Sequence, residues 1–355
     1  MPSFLASGIA LALFSLVLAG SVAHGAKAAT AGEVNVYSYR QPYLIDPLLK
    51  DFAAKTGIKV NVIFAEKGLI KRIAAEGRNS PADVLLTVNV GNLMQAKDAD
   101  IGQAVHSEVL AAAIPPTYRD TDGIWWGLTR RARVVYASKE RVKLGQITYE
   151  DLADPKWQGK ICIRSGQHVY NVALIASTIA SHGEVETEQW LKAVKANLAR
   201  KPAGDDRTRV EGVYAGECDI AIGNTHYMGA MLQDEKEPEQ KEWANSVNML
   251  FPNTNDRGTH ANISGAVVAK YAPHKENAIR LLEFLASDEA QKMYAQVNNE
   301  YPVKEGVPWS ALVQSWGSFK ADPISLNEIA SLRKKASELV DKVGFDERVR
   351  ERDQG

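Results

Sequence analysis

Between Val34 and Thr87 three β-rich runs alternate with two helical ones, joined by short connections. Val34 to Tyr39 alternates apolar and polar residues and reads as a strand. Arg40-Gln41-Pro42-Tyr43 breaks it, and a helix over Asp46 to Thr56 stops at Gly57. Lys59 to Phe64 reads as a second strand, Leu69 to Glu76 as a helix, and Pro81 to Thr87 as the opening of a third strand that ends at Asn89-Val90-Gly91. Strands joined by helical crossovers pair in parallel, so this stretch dictates a parallel sheet covered by helices. The ends of the strands after Tyr39 and Thr87 then face one edge of that sheet. Tyr43 sits over the edge, at or near the first turn of its helix.

A second αβ series follows a long extended segment. Leu128 to Ser138 is β-branched and carries Arg130, Arg131 and Arg133; alternation puts the last two on one face and Arg130 on the other. Its length suits a crossover between two lobes. An arginine there offers positive charge to an anion in a cleft, but for at least two of the three the better reading is solvated charges on an edge strand. Thr148 to Leu152 is helix-like, Ile161 to Arg164 a strand, and the polar turn from Ser165 opens a helix over Asn171 to Ser181. Tyr170 therefore lies near a helix N-terminus, where backbone N–H groups favour an anionic partner such as a phenolate; simple covering of the helix start is the other reading. Helices around Glu186 to Leu198 and Arg207 to Ala215 lead to the short strand Ile220 to Ile222, ended by Gly223-Asn224. His226 and Tyr227 stand side by side in the loop beyond it, where open α/β sheets hold their ligands; from this stretch alone the pair reads as metal-binding or as ordinary loop packing. After a short strand, Met249 to Pro252, the loop over 253–262 contains His260, a metal ligand by residue type and a satisfied loop histidine by ordinary expectation. Ile263 to Ala269 returns to a sheet core, followed by helices over Glu276 to Ala286, Asp288 to Gln296 and Asn327 to Val343, and a frayed end, RVRERDQG.

The remaining features bound the function. Ile9 to Ala19 is an apolar run too short to span a membrane, with Ala26-Lys27-Ala28 as a cleavage site. This fits a secretory leader, although no Lys or Arg precedes the run, and places the start of the mature chain near Glu33. With 42 Lys and Arg against 43 Asp and Glu scattered through the chain, the composition argues against nucleic acid and against a polybasic membrane patch. Two cysteines, Cys162 and Cys218, lack metal-type spacing and read equally as one disulfide or as two buried thiols. No nucleophile elbow, phosphate-binding loop or zinc-protease motif occurs. Ser165 with His168 is a weak hint of a hydrolytic pair, better read as turn chemistry.

Tyr39, Tyr43, Tyr170, His226 and Tyr227 are polar aromatics at strand ends and helix starts, drawn from two distant halves of the sequence. Phenolate is a hard anionic donor suited to a highly charged cation. Tyrosine ionises near pH 10 when free, so a neutral-pH site needs a cation strong enough to lower that value; iron(III) is one, whereas calcium and magnesium prefer carboxylates and carbonyls.

Six segments together resemble bacterial periplasmic iron(III)-binding proteins, the substrate-binding subunits of ABC importers: VNVYSYRQPY (34–43), NSPADVLLTVNVGNLMQA (79–96), GIWWGLTRRARVVYAS (123–138), RSGQHVYNVALIAS (164–177), GECDIAIGNTHYMG (216–229) and GTHANISGAVVAK (258–270). The resemblance runs from about Glu33 to beyond Pro302. It implies an α/β fold of the two-lobed type II periplasmic-binding class, each lobe a mixed, mostly parallel sheet flanked by helices and hinged by crossover strands. Residues 1–31 would be leader and tail, 32–130 with 260–310 lobe one, and 131–259 with 311–355 lobe two. The cargo implied is Fe(3+) with a synergistic anion such as carbonate, carried by a non-enzymatic periplasmic monomer to an inner-membrane ABC permease. Carried over residue by residue, Tyr170 and Tyr227 match ligating tyrosines, and His226 stands where the family has the first of two adjacent tyrosines. Tyr43 matches a first-lobe tyrosine whose neighbouring histidine is missing here. Arg131 or Arg133 resembles a basic residue that contacts an anion or a tyrosinate. The rival reading keeps the fold but gives the cleft an organic or oxyanionic solute, of phosphonate, polyamine or thiamine-like kind.

Overall fold

The computed structural model describes residues 32–347. The expected leader and its cleavage site, and the terminal RVRERDQG, lie outside the described residues.

In chain order the first unit comprises β1 (Glu33–Ser38), α1 (Pro42–Thr56), β2 (Lys59–Phe64), α2 (Leu69–Glu76), β3 (Val84–Thr87), α3 (Val90–Asp98) and α4 (Glu108–Ala113). The long β4 (Trp125–Ser138) leads to β5 (Ile161–Cys162), α5 (Val169–His182), α6 (Glu184–Ala196), α7 (Asp206–Tyr214), β6 (Ile220–Asn224), α8 (Thr225–Leu232), α9 (Glu239–Asn245) and β7 (Val247–Leu250). The chain then returns through β8 (Ala261–Val268), α10 (Lys275–Leu285), α11 (Asp288–Val297) and β9 (Tyr301–Pro302), and ends with α12 (Ala311–Ser315), α13 (Leu326–Ser331) and α14 (Arg333–Lys342).

The strands run in the order β2-β1-β3-β8-β4-β6-β5, with β7 and β9 also pairing with β4. β1 is parallel to both β2 and β3, as the opening pattern dictates. β8 runs antiparallel between β3 and β4, so the sheet is mixed. The pivotal element is β4. It pairs with β8 as far as Ala132 opposite Ala261, and from Arg133 opposite Asn224 onward it pairs with β6 instead. One strand thus belongs to two sheet regions, each with its own apolar packing. Val34, Phe52, Leu86 and Leu282 sit in one cluster beside the first region; Val134, Tyr136, Val213 and Met231 sit in another beside the second.

Several expectations need correction. β4 is no edge strand: Arg131 and Arg133 are each 1% exposed in the middle of the sheet. α1 begins at Pro42 rather than Asp46, because proline suits the first helical turn, where its missing N–H has no helical acceptor; Gly57 then closes the helix at φ 70°. The third strand ends at Thr87, and Val90-Gly91 begins α3, capped when the Asn89 side chain accepts from Asn92 N–H. His226 and Tyr227 stand in the first turn of α8 rather than in a loop, since Asn224 is extended and the helix starts directly after it. The single C-terminal helix is two, α13 and α14, meeting at Leu332; apolar spacing carries through the junction, so periodicity does not expose it. Cys162 and Cys218 form a disulfide, joining β5 to the entry of its parallel neighbour β6.

Candidate metal centre

Tyr170 is the second residue of α5. Its N–H donates to Nδ1 of the N-cap His168 at 3.3 Å, and the two rings meet edge to face at 4.6 Å. Around the phenol ring stand three guanidinium groups, with their central carbons 5.2 Å (Arg131), 5.4 Å (Arg164) and 5.9 Å (Arg133) from its centroid. The first and last of these come from β4 at its change of sheet, and Arg164 comes from the exit of β5.

Two buried acids organise these arginines. Asp206, the first residue of α7, accepts from Arg133 Nη1 at 2.8 Å, Arg164 Nη1 at 3.2 Å and the Asn224 N–H at 3.0 Å. Burial works against its ionisation, yet the two arginines and the Asn224 N–H hold its carboxyl below the usual aspartate range. Glu300, between α11 and β9, accepts from Arg40 Nη2 at 3.0 Å, Thr129 Oγ1 at 2.7 Å and Arg131 Nη1 at 3.3 Å. Burial again opposes ionisation, but Arg40 and Arg131 bring this carboxyl down to about 2. Each acid is therefore clasped by two arginines, and each triad keeps one net positive charge.

His226 and Tyr227 lie against the same charges. Their rings meet at 4.3 Å and 34°. Burial drives the His226 imidazole down to about 3, Glu300 working the other way and Arg131 adding to the fall, so the ring is neutral. Its Nδ1 is buried and has no hydrogen-bond partner among the described residues. Burial pushes the Tyr227 phenol well above its ordinary value, Tyr170 and Asp206 adding to the rise while Arg164 opposes it. Without a cation, then, His226 offers a lone pair and Tyr227 keeps its proton. Arg131 also leaves Nε and Nη2, adjacent donors on one edge of its guanidinium, buried and unpartnered.

The structure brings Tyr170, His226, Tyr227, Arg131 and Arg133 together. Tyr43 stands apart from them, 59% exposed in the first turn of α1. Tyr39 is structural: its hydroxyl accepts the Ile70 N–H at 3.0 Å at the start of α2. His260 is 1% exposed, and its carbonyl accepts the Arg133 N–H at 2.9 Å. Both its ring nitrogens lack partners among the described residues, contrary to the satisfied loop histidine expected. Ser165 and His168 form no nucleophile–base pair, because the hydroxyl donates to Asp346 and the imidazole Nδ1 caps α5. Sequence reasoning missed Arg40, Arg164, Asp206 and Glu300. Only Arg164, directly before the Tyr170 turn, carried a local signal; partnership with Glu300 depends on chain folding over more than a hundred residues.

No cluster of three or more His, Cys, Asp or Glu that could hold a metal occurs among the described residues. A cation in this site would depend on phenol oxygen and the free imidazole nitrogen, which is a donor set suited to a hard trivalent ion. A cavity of about 480 Å³ runs between α3 on one side and α5, α13 and α14 on the other; Val169 and Val172 line it, and Tyr170, His226 and Tyr227 do not.

Residues 79–317 match the family described as bacterial extracellular solute-binding protein. Iron uptake protein A1 of Synechocystis is 44% identical over 315 residues, 88% of this chain and 87% of that protein. The chain belongs to the ferric iron-binding members of this family. Apo ferric ion-binding protein A of Pasteurella haemolytica superposes with a TM-score of 0.85 at 51% identity, over 90% of this chain and 99% of that one. A Trichodesmium protein solved in complex with iron and citrate superposes with a TM-score of 0.84 at 45% identity, over 88% and 100% of the two chains. The likeness of this ferric-binding family member to these structures spans both sheet regions, and the fold is the type II periplasmic-binding fold.

Proposed function

We propose that this chain binds ferric iron in the periplasm through Tyr170, His226 and Tyr227 and hands it to an inner-membrane ABC permease, acting as a non-catalytic monomer exported by its N-terminal leader. The observation that carries the reading is the meeting of two phenols and a neutral, unpartnered imidazole nitrogen beside two arginine triads. Charge sets the rest. The triads leave two net positive charges, which two phenolates balance, so the three charges of iron(III) call for further anionic donors. Tyr43 supplies one when the lobes close. A synergistic anion such as carbonate or citrate supplies the others, and the free Nε–Nη2 edge of Arg131 is suited to receive it as a paired donor. Arg133, engaged with Asp206 and Asn171, serves as support.

We take residues 32–130 and 260–310 as one lobe and 131–259 and 311–347 as the described part of the other, with β4 and the entry to β8 as the hinge. Iron stabilises the closed arrangement by the difference in its affinity for the two states, and the closed shape is what a permease can distinguish from the empty protein. The arginine excess also suits an oxyanionic solute without metal, and calorimetry with phosphonates tests that rival directly. The deciding experiment is a visible titration of metal-stripped protein with ferric citrate. A broad tyrosinate-to-iron charge-transfer band, lost in Tyr227→Phe, is the expected result; its absence at saturating iron overturns the tyrosinate site.

A further inference from the structure

The turn that delivers Tyr170 is held by a residue from the far end of the chain. Asp346, beyond α14, presents its carboxylate to the residues that lead into α5: Oδ2 accepts from Ser165 Oγ at 2.5 Å and from Gln167 N–H at 3.4 Å, and Oδ1 accepts from Gly166 N–H at 2.7 Å. The fit is close on every side. A Cβ added at Gly166 would lie 2.8 Å from both Phe345 Cδ1 and Val340 Cγ1, so only glycine admits this approach. The Gln167 amide donates to Ser337 O at 3.0 Å and Asp341 Oδ1 at 2.8 Å, and its oxygen accepts from Ser337 Oγ at 2.7 Å. Phe345 anchors the segment at 1% exposure. These contacts lie beyond residue 317, where the family match ends.

We propose that Asp346 is a positioning residue for Tyr170: its carboxylate fixes the Ser165–Gln167 turn and thereby the angle at which the phenol meets the metal. The inference rests on Tyr170 being a ligand. The physical argument concerns direction. Gly166 and Gln167 precede the His168 N-cap, so no helical carbonyl receives their N–H groups, and a turn whose N–H groups are unpaired samples several orientations. An ionised acceptor binds them more strongly than a neutral one and selects a single orientation. On the other side, Asn171 ties the helix to β4 by accepting from Arg133 Nη2 at 2.7 Å while donating to the Arg164 and Ser165 carbonyls at 2.9 and 3.0 Å. Tyr170 is thus held between an arginine tether and a carboxylate tether, and only the latter depends on the C-terminal segment.

The test uses full-length Asp346→Ala and Asp346→Asn, each titrated with ferric citrate, with the charge-transfer band, iron affinity by chelator competition and thermal midpoint all recorded. The expected result is a displaced or weakened band and an iron affinity lower by about tenfold, as when an outer partner of a metal ligand is removed. Formate should restore the Asp346→Ala band in part, because it returns a carboxylate to the space left behind, and should do nothing for Asp346→Asn. A lower thermal midpoint with band and affinity unchanged would make Asp346 merely structural and overturn the inference. If Asp346→Ala does not fold, the near-isosteric Asn variant decides by the same readings. Absence of the band in the unaltered protein overturns the metal reading together with this one; a normal band that both variants preserve overturns this one alone.

Discussion

Arg133 meets Asp206 at 2.8 Å, with the two side chains 1% and 0% exposed. The same carboxylate holds Arg164, so a single buried charge compensates two guanidinium groups that both face Tyr170. Asp206→Asn should therefore leave two buried cations short of a partner and destabilise the protein by about 3–5 kcal/mol, read by urea unfolding. The carboxyl is held below its ordinary range in the folded state, so its contribution is complete above about pH 4 and is lost as pH falls from there. The variant should lose less stability than the parent on acidification below that point.

The buried histidines act at higher pH. His260 is driven down to about 3 by burial, with Arg257 and Arg133 adding to the effect, and His226 to about 3. A folded-state value below the unfolded one of about 6.5 means that the unfolded chain binds more protons, so stability is full above pH 6.5 and falls as pH drops from there toward 3. For His260 the loss at pH 5 is on the order of 2 kcal/mol. His260→Leu should flatten the dependence of the thermal midpoint on pH between 7 and 5, and a slope equal to that of the parent would refute the assignment.

The Cys162–Cys218 disulfide closes a loop across a sequence separation of 56 residues. Chain-entropy arguments give such a cross-link about 4 kcal/mol, and measured values run from about 2 to 4 kcal/mol. The double variant Cys162→Ala with Cys218→Ala should unfold at correspondingly lower denaturant. Because neither sulfur belongs to the candidate donor set, the iron band should persist in that variant.

Tyr43 gives a prediction about closure. Its 59% exposure implies that Tyr43→Phe changes unfolding stability by less than about 0.5 kcal/mol. If lobe closure brings the phenol to the metal, the same variant should show a weaker charge-transfer band at saturating iron. An unchanged band would remove Tyr43 from the ligand set and leave its place to an anion.

What could be read from the residues divides along the range of the interactions. The βαβαβ opening, β4 as a long extended segment, and Tyr170 at a helix start are all written in local periodicity and turn residues, and the structure contains them. The sequence puts His226 and Tyr227 in a loop and the structure puts them in a helix, because Gly223-Asn224 reads as a turn although both residues complete β6 and lead directly into α8. The sequence alone favours solvated charges on β4, since burial of an arginine depends on a partner, and Asp206 and Glu300 lie 73 and 169 residues from Arg133 and Arg131. No window of sequence contains such a pair. The disulfide is not legible in sequence for the same reason: the pairing depends on β5 and β6 lying side by side.

β4 changes sheets between Ala132 and Arg133, so Arg131 and Arg133 are two steps apart on one strand yet answer to different acids in different halves of the molecule. A twist of that strand turns one guanidinium relative to the other about the Tyr170 ring. If β4 is the hinge proposed above, the element that bends when the protein opens also carries two of the three guanidinium groups around the phenol. Grip on the cargo and ease of movement would then share one piece of backbone, and selection acting on either would alter the other.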